Sequence, residues 1–185
     1  NEGGFELAEK ECTITPGIPC NAMLAKPAKS TAEIKSKMGD HPITCEYKYD
    51  GERAQIHKTK DGKVQIFSRA SKDSTLQFEE VKPLVLENVE GEDFILDSEI
   101  VAYDHEKGFI LPFQTLMHRP KKGGDKPSPI QLCVFTFDVL YINGESIINK
   151  PLKERRSVLQ KIVKPVENKL QMATYLNTDL DNIKD

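Results

Sequence analysis

The chain has 185 residues, 38% hydrophobic and 30% charged, a mixture that supports a buried core and excludes wholesale disorder. No apolar run approaches the roughly 20 residues of a membrane helix, and Asn1-Glu2-Gly3-Gly4 opens no secretory signal. The net charge of −3 argues, as an average, against a polyanion partner, but the charge is segregated: residues 79–106 carry ten acids against Lys82 alone. Basic residues gather instead at Arg53–Lys72, Arg119–Lys126 and Lys150–Lys164, so basic faces beside an acidic one leave room for local binding of a polyanion. Cys12, Cys20, Cys45 and Cys133 are scattered, with no C-x-x-C pair, which excludes a zinc knuckle and reads as reduced thiols rather than a disulfide framework.

The first fifteen residues are polar and patternless apart from Phe5 and Leu7, and read as a linker or the tail of a preceding domain. Thr15-Pro16-Gly17-Ile18-Pro19 is a rigid extended or turn segment. A short helix is expected from Ser30, with Glu33 completing a capping box and Ile34 on the buried face. Strands follow at Ile43–Tyr49, Ala54–His57 and Val64–Phe67, the last two joined through Asp61-Gly62, a hairpin signal. Leu76, Val81, Leu84 and Val85 have helical spacing, which Pro83 keeps short. Phe94-Ile95-Leu96 and Glu99-Ile100-Val101 predict a buried strand interrupted by charge. Lys121–Pro129 is a mobile Gly/Pro/Lys-rich loop, Gln131–Tyr141 the most apolar strand, and Asn143-Gly144 its closing turn. A final helix starts with Pro151 in its first turn and buries Leu152, Leu159, Ile162 and Val163. There is no internal repeat, and the class is α+β, antiparallel strands with helices packed on them.

The chemistry concentrates in Glu46-Tyr47-Lys48-Tyr49-Asp50-Gly51-Glu52-Arg53. Alone, K-x-D-G is a weak pattern and fits a surface lysine beside a turn. A lysine amine is also a covalent nucleophile when neutral, and burial or nearby cations are the two ways to bring it there. Arg53 and a divalent metal would supply such charge and also suit a polyphosphate. Arg69 ends the hairpin. Asp97 and Glu99 are two carboxylates in an apolar strand; spaced i, i+2 they share a face, and hard oxygens suit Mg²⁺. An edge strand with a solvated acidic face fits them equally. Phe137 is a core residue or a ring on which a base stacks.

In this order the elements resemble the covalent nucleotidyltransferases: ATP-dependent DNA ligases, RNA ligases and mRNA capping enzymes. Lys48-Tyr49-Asp50-Gly51 is similar to their nucleophile motif, Ser68-Arg69 to the ribose and phosphate motif, Asp97-Ser98-Glu99-Ile100-Val101 to the metal-carboxylate motif, and Phe137-Asp138-Val139-Leu140 to the adenine-stacking motif. Longer strings narrow the resemblance to the eukaryotic replicative-type, DNA ligase I-like enzymes: Pro16-Gly17-Ile18-Pro19 with Met23-Leu24-Ala25, Glu46 through His57, Pro112-Phe113-Gln114-Thr115-Leu116, and Tyr141-Ile142-Asn143-Gly144-Glu145. It runs from about Thr15 to Val163.

The resemblance implies a ligase-type nucleotidyltransferase fold, two antiparallel sheets flanked by helices, with residues 16–185 an adenylation domain. It implies that Lys48 is the nucleophile that takes AMP from ATP, Glu46 reads the adenine edge, Arg53 and Arg69 hold ribose and phosphate, Phe137 stacks on adenine, and Glu99 binds ribose or Mg²⁺. It further implies transfer of AMP to the 5′-phosphate of nicked double-stranded DNA and sealing by the 3′-hydroxyl, in the nucleus, during replication, repair and recombination. A DNA-binding domain before and an oligonucleotide-binding domain after would act in cis, with no membrane partner and the fragment itself a monomer. The family's two later motifs, a Glu-Gly pair and a strand with two lysines, have no match, so a fragment of a longer protein is expected. A capping guanylyltransferase and a non-catalytic nucleotide- or DNA-binding module are the alternatives.

Overall fold

Eleven residues, Phe94–Asp104, form one strand, β4, in which Phe94, Leu96, Ile100 and Ala102 all join the same apolar core. The computed structural model describes residues 13–39, 41–119 and 130–179; the expectations for Phe5, Leu7, Cys12, the Lys121–Pro129 loop and the end beyond 179 lie outside them. In chain order the other strands are β1 (Ile43–Glu46), β2 (Glu52–Lys58), β3 (Val64–Ser68), β5 (Phe109–Ile110), β6 (Gln131–Ile142), β7 (Glu145–Ser146), β8 (Leu170–Met172) and β9 (Tyr175–Thr178). The helices are α1 (Thr31–Met38), α2 (Val81–Asn88), α3 (Phe113–Met117) and α4 (Leu152–Ile162). This is the α+β class that the alternating patterns predict.

The described chain forms two units. The larger takes residues 13–21 and Asp50–Met172 and holds a sheet ordered β3-β2-β4-β6-β7, antiparallel throughout, with β5 added to β4 and β8 running parallel to β6. The smaller takes Ala22–Tyr49 and the residues from Ala173 on, and holds α1 and the antiparallel pair β1–β9.

Because side chains alternate across a strand, the large sheet has two unlike faces. Ala54, Ile56, Leu96, Ile100 and Val134 face a core that α2, α3 and α4 complete with Val81, Val85, Leu116 and Leu159. The opposite face carries Arg53, Gln55 and His57 of β2 beside their cross-strand partners Glu99, Asp97 and Ile95 of β4. One face holds the domain together by apolar burial, at about 1.5–3 kcal/mol for each fully buried Leu, Ile or Phe. The other carries polar and charged side chains.

Several local expectations change in three dimensions. β4 is continuous through Asp97 and Glu99, and it is a central strand, so the solvated edge is excluded. β1 ends at Glu46, three residues short of the predicted limit. Pro83 occupies the third position of α2, where its missing N–H falls among donors that a helix leaves unpaired anyway, so the helix begins at Val81 and leaves Leu76 81% exposed. Ser30 caps α1 by accepting the Glu33 N–H, but the Glu33 carboxylate reaches back to the Lys29 N–H and to Lys37 rather than to the cap residue. No residue of α1 is buried, and Ile34 is only half-buried. Pro151 sits one position before α4, and Leu152 is 37% exposed while Leu159 and Val163 are buried. Asn143 and Gly144 both adopt positive φ, +48° and +85°, the turn that matches strand twist.

Candidate active site

Gly51 explains why the chain can enter β2 where it does. A Cβ on Gly51 would lie 2.3 Å from the Ile100 carbonyl oxygen, so only glycine lets this backbone lie flush on β4. Two residues later Arg53 leaves the strand on the polar face. Its Nε donates to Asp97 Oδ1 at 3.0 Å and its Nη2 to Oδ2 at 2.6 Å, a bidentate pair. Its guanidinium carbon sits 5.5 Å from the centre of the Phe137 ring. Glu99 is the cross-strand partner of Arg53, half-buried on the same face. Arg53, Glu99 and Phe137 are therefore brought together, with Asp97 beneath them.

Asp97 is 5% exposed, and its two oxygens are engaged by Arg53. Asp97 thus orients the arginine, and Glu99, the carboxylate expected as the metal ligand, lies on the same face as the cross-strand partner of Arg53. Burial pushes the Asp97 carboxyl above its usual value, a rise that Arg53 offsets only in part. Reciprocally, the hydrogen bonds it donates to Asp97 hold Arg53 above its ordinary value, with Glu99 and Asp138 adding to the pull.

Phe137 gains its position from a fault in the ladder. Asp97 pairs with Asp138 and Ser98 with Thr136, so Phe137 has no partner on β4; Leu140 is likewise skipped between Tyr141 and Val139. Such bulges re-aim side chains. Arg69 follows β3 in an exposed turn, and the register Ala54↔Ser68 sets it one step beyond the partner of Ala54, at the Arg53 end of β2. Glu46 and Lys48 belong to the smaller unit: Glu46 closes β1 opposite Tyr175, and Lys48 follows it, exposed. A groove of ≈ 970 Å³ beside β3, lined by Val64, Gln65, Thr75, Leu76 and Leu86 among others, contains none of these residues.

Some polar partners have no counterpart in the sequence reading. The Gln55 amide pairs with Cys20 as a backbone would, accepting its N–H at 3.1 Å and donating to its carbonyl at 2.5 Å. His57, fully buried, accepts the Gly17 N–H on Nδ1 at 3.1 Å, which leaves Nε2 to donate to Gln55 Oε1 at 3.3 Å. Burial lowers His57 to about 4, so it is neutral. Together they strap residues 16–20 onto β2. Asp138 is held bidentately by Arg155 of α4, at 2.8 and 2.7 Å. The string that carries Gln55 and His57 contributes to the resemblance, but nothing in it names Gly17 or Cys20 as partners.

The fold is that of ligase-type nucleotidyltransferase domains. The ligase domain of LigD from M. tuberculosis superposes with a TM-score of 0.57 at 20% identity, over 76% of this chain and 41% of that one. A mycobacterial DNA ligase D complexed with ATP and MES gives 0.55 at 20%, over 76% and 42%. The chain belongs to the ATP-dependent DNA ligase domain family, whose model matches residues 22–185. It is 43% identical to DNA ligase 1 of Drosophila melanogaster over 97% of its length and 24% of that protein. It is also 43% identical to a DNA ligase of Caldivirga maquilingensis (99% and 30%) and 41% identical to DNA ligase 1 of Saccharomyces cerevisiae (99% and 25%). The chain thus spans 24–30% of the length of these relatives.

Proposed function

We propose that this chain is the nucleotide-activating part of an ATP-dependent DNA ligase. The observation that supports it most is the cluster on the polar sheet face: Arg53 fixed by Asp97 against the Phe137 ring, with Glu99 opposite. In this reading Phe137 stacks on adenine, Glu46 reads its edge, Arg53 and Arg69 hold ribose and phosphate, and Lys48 Nζ attacks the α-phosphorus. The N–P bond forms as the bond to the bridging oxygen breaks; pyrophosphate leaves with the electron pair and the amine proton goes to water. A 5′-phosphate oxygen of nicked DNA then displaces Lys48, and the 3′-hydroxyl displaces AMP to seal the strand.

Protein work in such transfers is mostly positioning and charge neutralisation. Lys48 is exposed, so of burial and cations, cations are what this reading relies on. Glu99 fits Mg²⁺ as one carboxylate among phosphate oxygens and waters, the usual pattern for that ion. When bound, the metal would neutralise charge building on pyrophosphate. A DNA-binding domain and an oligonucleotide-binding domain in cis, and a nuclear role in replication, repair and recombination, complete the proposal; the two absent motifs belong to the remainder of that protein, with residues 1–15 as the link. Among the described residues no helix is long and apolar enough to cross a membrane.

The test is incubation of the full-length protein with labelled ATP or GTP and Mg²⁺, followed by denaturing separation. Label is expected on the protein from ATP alone, and none on Lys48→Arg, whose guanidinium cannot give up its proton. Label from GTP instead would make it a capping-type enzyme; no label from either would refute the proposal.

A further inference from the structure

Lys48 follows β1 at a point where the ladder changes character. β1 and β9 pair regularly as far as Glu46↔Tyr175. One step on, the Tyr47 N–H still donates to the Thr174 carbonyl, at 3.2 Å. A regular antiparallel pair would return the Thr174 N–H to the Tyr47 carbonyl. Instead the Thr174 N–H donates to the phenol oxygen of Tyr49, at 3.1 Å. The residues on either side of Lys48 are thereby tied to one residue of the neighbouring segment, through its C=O on one side and its N–H on the other. The rings of Tyr47 and Tyr49 lie 6.4 Å apart, inclined at 39°, and Lys48, between them in sequence, is exposed.

We infer that Tyr49 is a positioning residue for the nucleophile: its phenol oxygen takes over a ladder hydrogen bond, ends the pairing of β1 ahead of Lys48 and fixes where the amine stands. This rests on the proposed role of Lys48 and adds a residue that acts through it. The bond lies at an exposed site, so water can replace the phenol on Thr174 with little effect on folding. Loss of the tie should therefore appear in the reaction step rather than in stability or nucleotide affinity.

The test compares wild type and Tyr49→Phe in the full-length protein, with Thr174→Ala as a control that keeps the Thr174 backbone groups. Single-turnover formation of the lysyl-AMP adduct should slow about tenfold in Tyr49→Phe, the scale of a misplaced nucleophile. Non-covalent ATP affinity, melting temperature and the midpoint of the pH–rate profile should match wild type, and Thr174→Ala should behave as wild type throughout. An unchanged adduct rate in Tyr49→Phe would overturn the inference. A loss confined to affinity or melting temperature would make the phenol merely structural, and a shifted pH midpoint would make it an acid–base group; each also overturns it. Absence of any adduct from wild type would refute the proposed function itself.

Discussion

Replacing Arg53 by Met would remove the partner of a carboxylate that is only 5% exposed while keeping most of the side chain's apolar length. Breaking one member of a buried ion pair costs about 3–5 kcal/mol. The Arg53 side chain is 23% exposed and Asp97 can take up a proton, so we expect the lower end, about 3 kcal/mol at neutral pH. The sign of the pH dependence follows from burial, which already raises Asp97 in the folded protein. A raised carboxyl contributes stability below the ordinary aspartate range and loses it as pH rises through the folded value. Without Arg53 the rise is larger, so the penalty should be small in acid and grow toward neutrality. Denaturant unfolding of Arg53→Met, Asp97→Asn and the double variant at several pH values measures both quantities. The coupling between the two sites should be about 2 kcal/mol, near thirtyfold in the unfolding constant. A coupling below about 0.5 kcal/mol, within ordinary additivity error, or a penalty indifferent to pH would refute the assignment of Asp97 as the group that holds Arg53.

Glu99→Gln keeps shape and removes charge, so adduct formation should fall by roughly a hundredfold while the melting temperature holds; equal adduct yields would remove Glu99 from the site. Gly51→Ala forces a Cβ toward the Ile100 carbonyl and should destabilise by about 2–3 kcal/mol, read as a lowered unfolding midpoint, with an unchanged midpoint counting against the close approach. His57, held near 4 against an ordinary 6.5, contributes stability that is complete above 6.5 and lost as pH falls through 4. That amounts to about 3 kcal/mol over the interval. His57→Gln should flatten this stretch of the stability profile, and an equally steep profile would show that other groups titrate there.

What was legible in the chain is what depends on neighbours in sequence. Asn143-Gly144 adopts its turn from its own backbone preferences, Asp61-Gly62 joins β2 to β3, and Ser30 caps α1 from three residues away. Lys48, Arg53 and Glu99, the residues proposed for nucleotide chemistry, stand in an order along the chain that a family resemblance carries. Their supports do not. Gly17 and His57 are 40 residues apart, Asp138 and Arg155 are 17 apart, and Tyr49 and Thr174 are 125 apart. No periodicity joins such pairs. Asp97 shows the consequence: as a residue type it suits a metal, and only the position of Arg53 on the adjacent strand reveals that both oxygens are engaged. Phe137 was ambiguous for a related reason, since alternation along β6 cannot register a residue that the ladder skips.

The two skipped residues of β6 also separate two kinds of selection. Twelve residues of β6 lie against ten of β4, and the core-side positions along it fall at Leu132, Val134, Thr136, Val139 and Ile142, so the spacing widens from two to three around each bulge. Phe137 therefore has no rung of the β4–β6 ladder to keep and no place among those core positions. A lineage could exchange the ring at 137 for another side chain and change what is recognised above the sheet, while the strand beneath keeps its register. With the stacking role proposed for Phe137, recognition at this point would be open to drift or redesign almost independently of the fold that supports it.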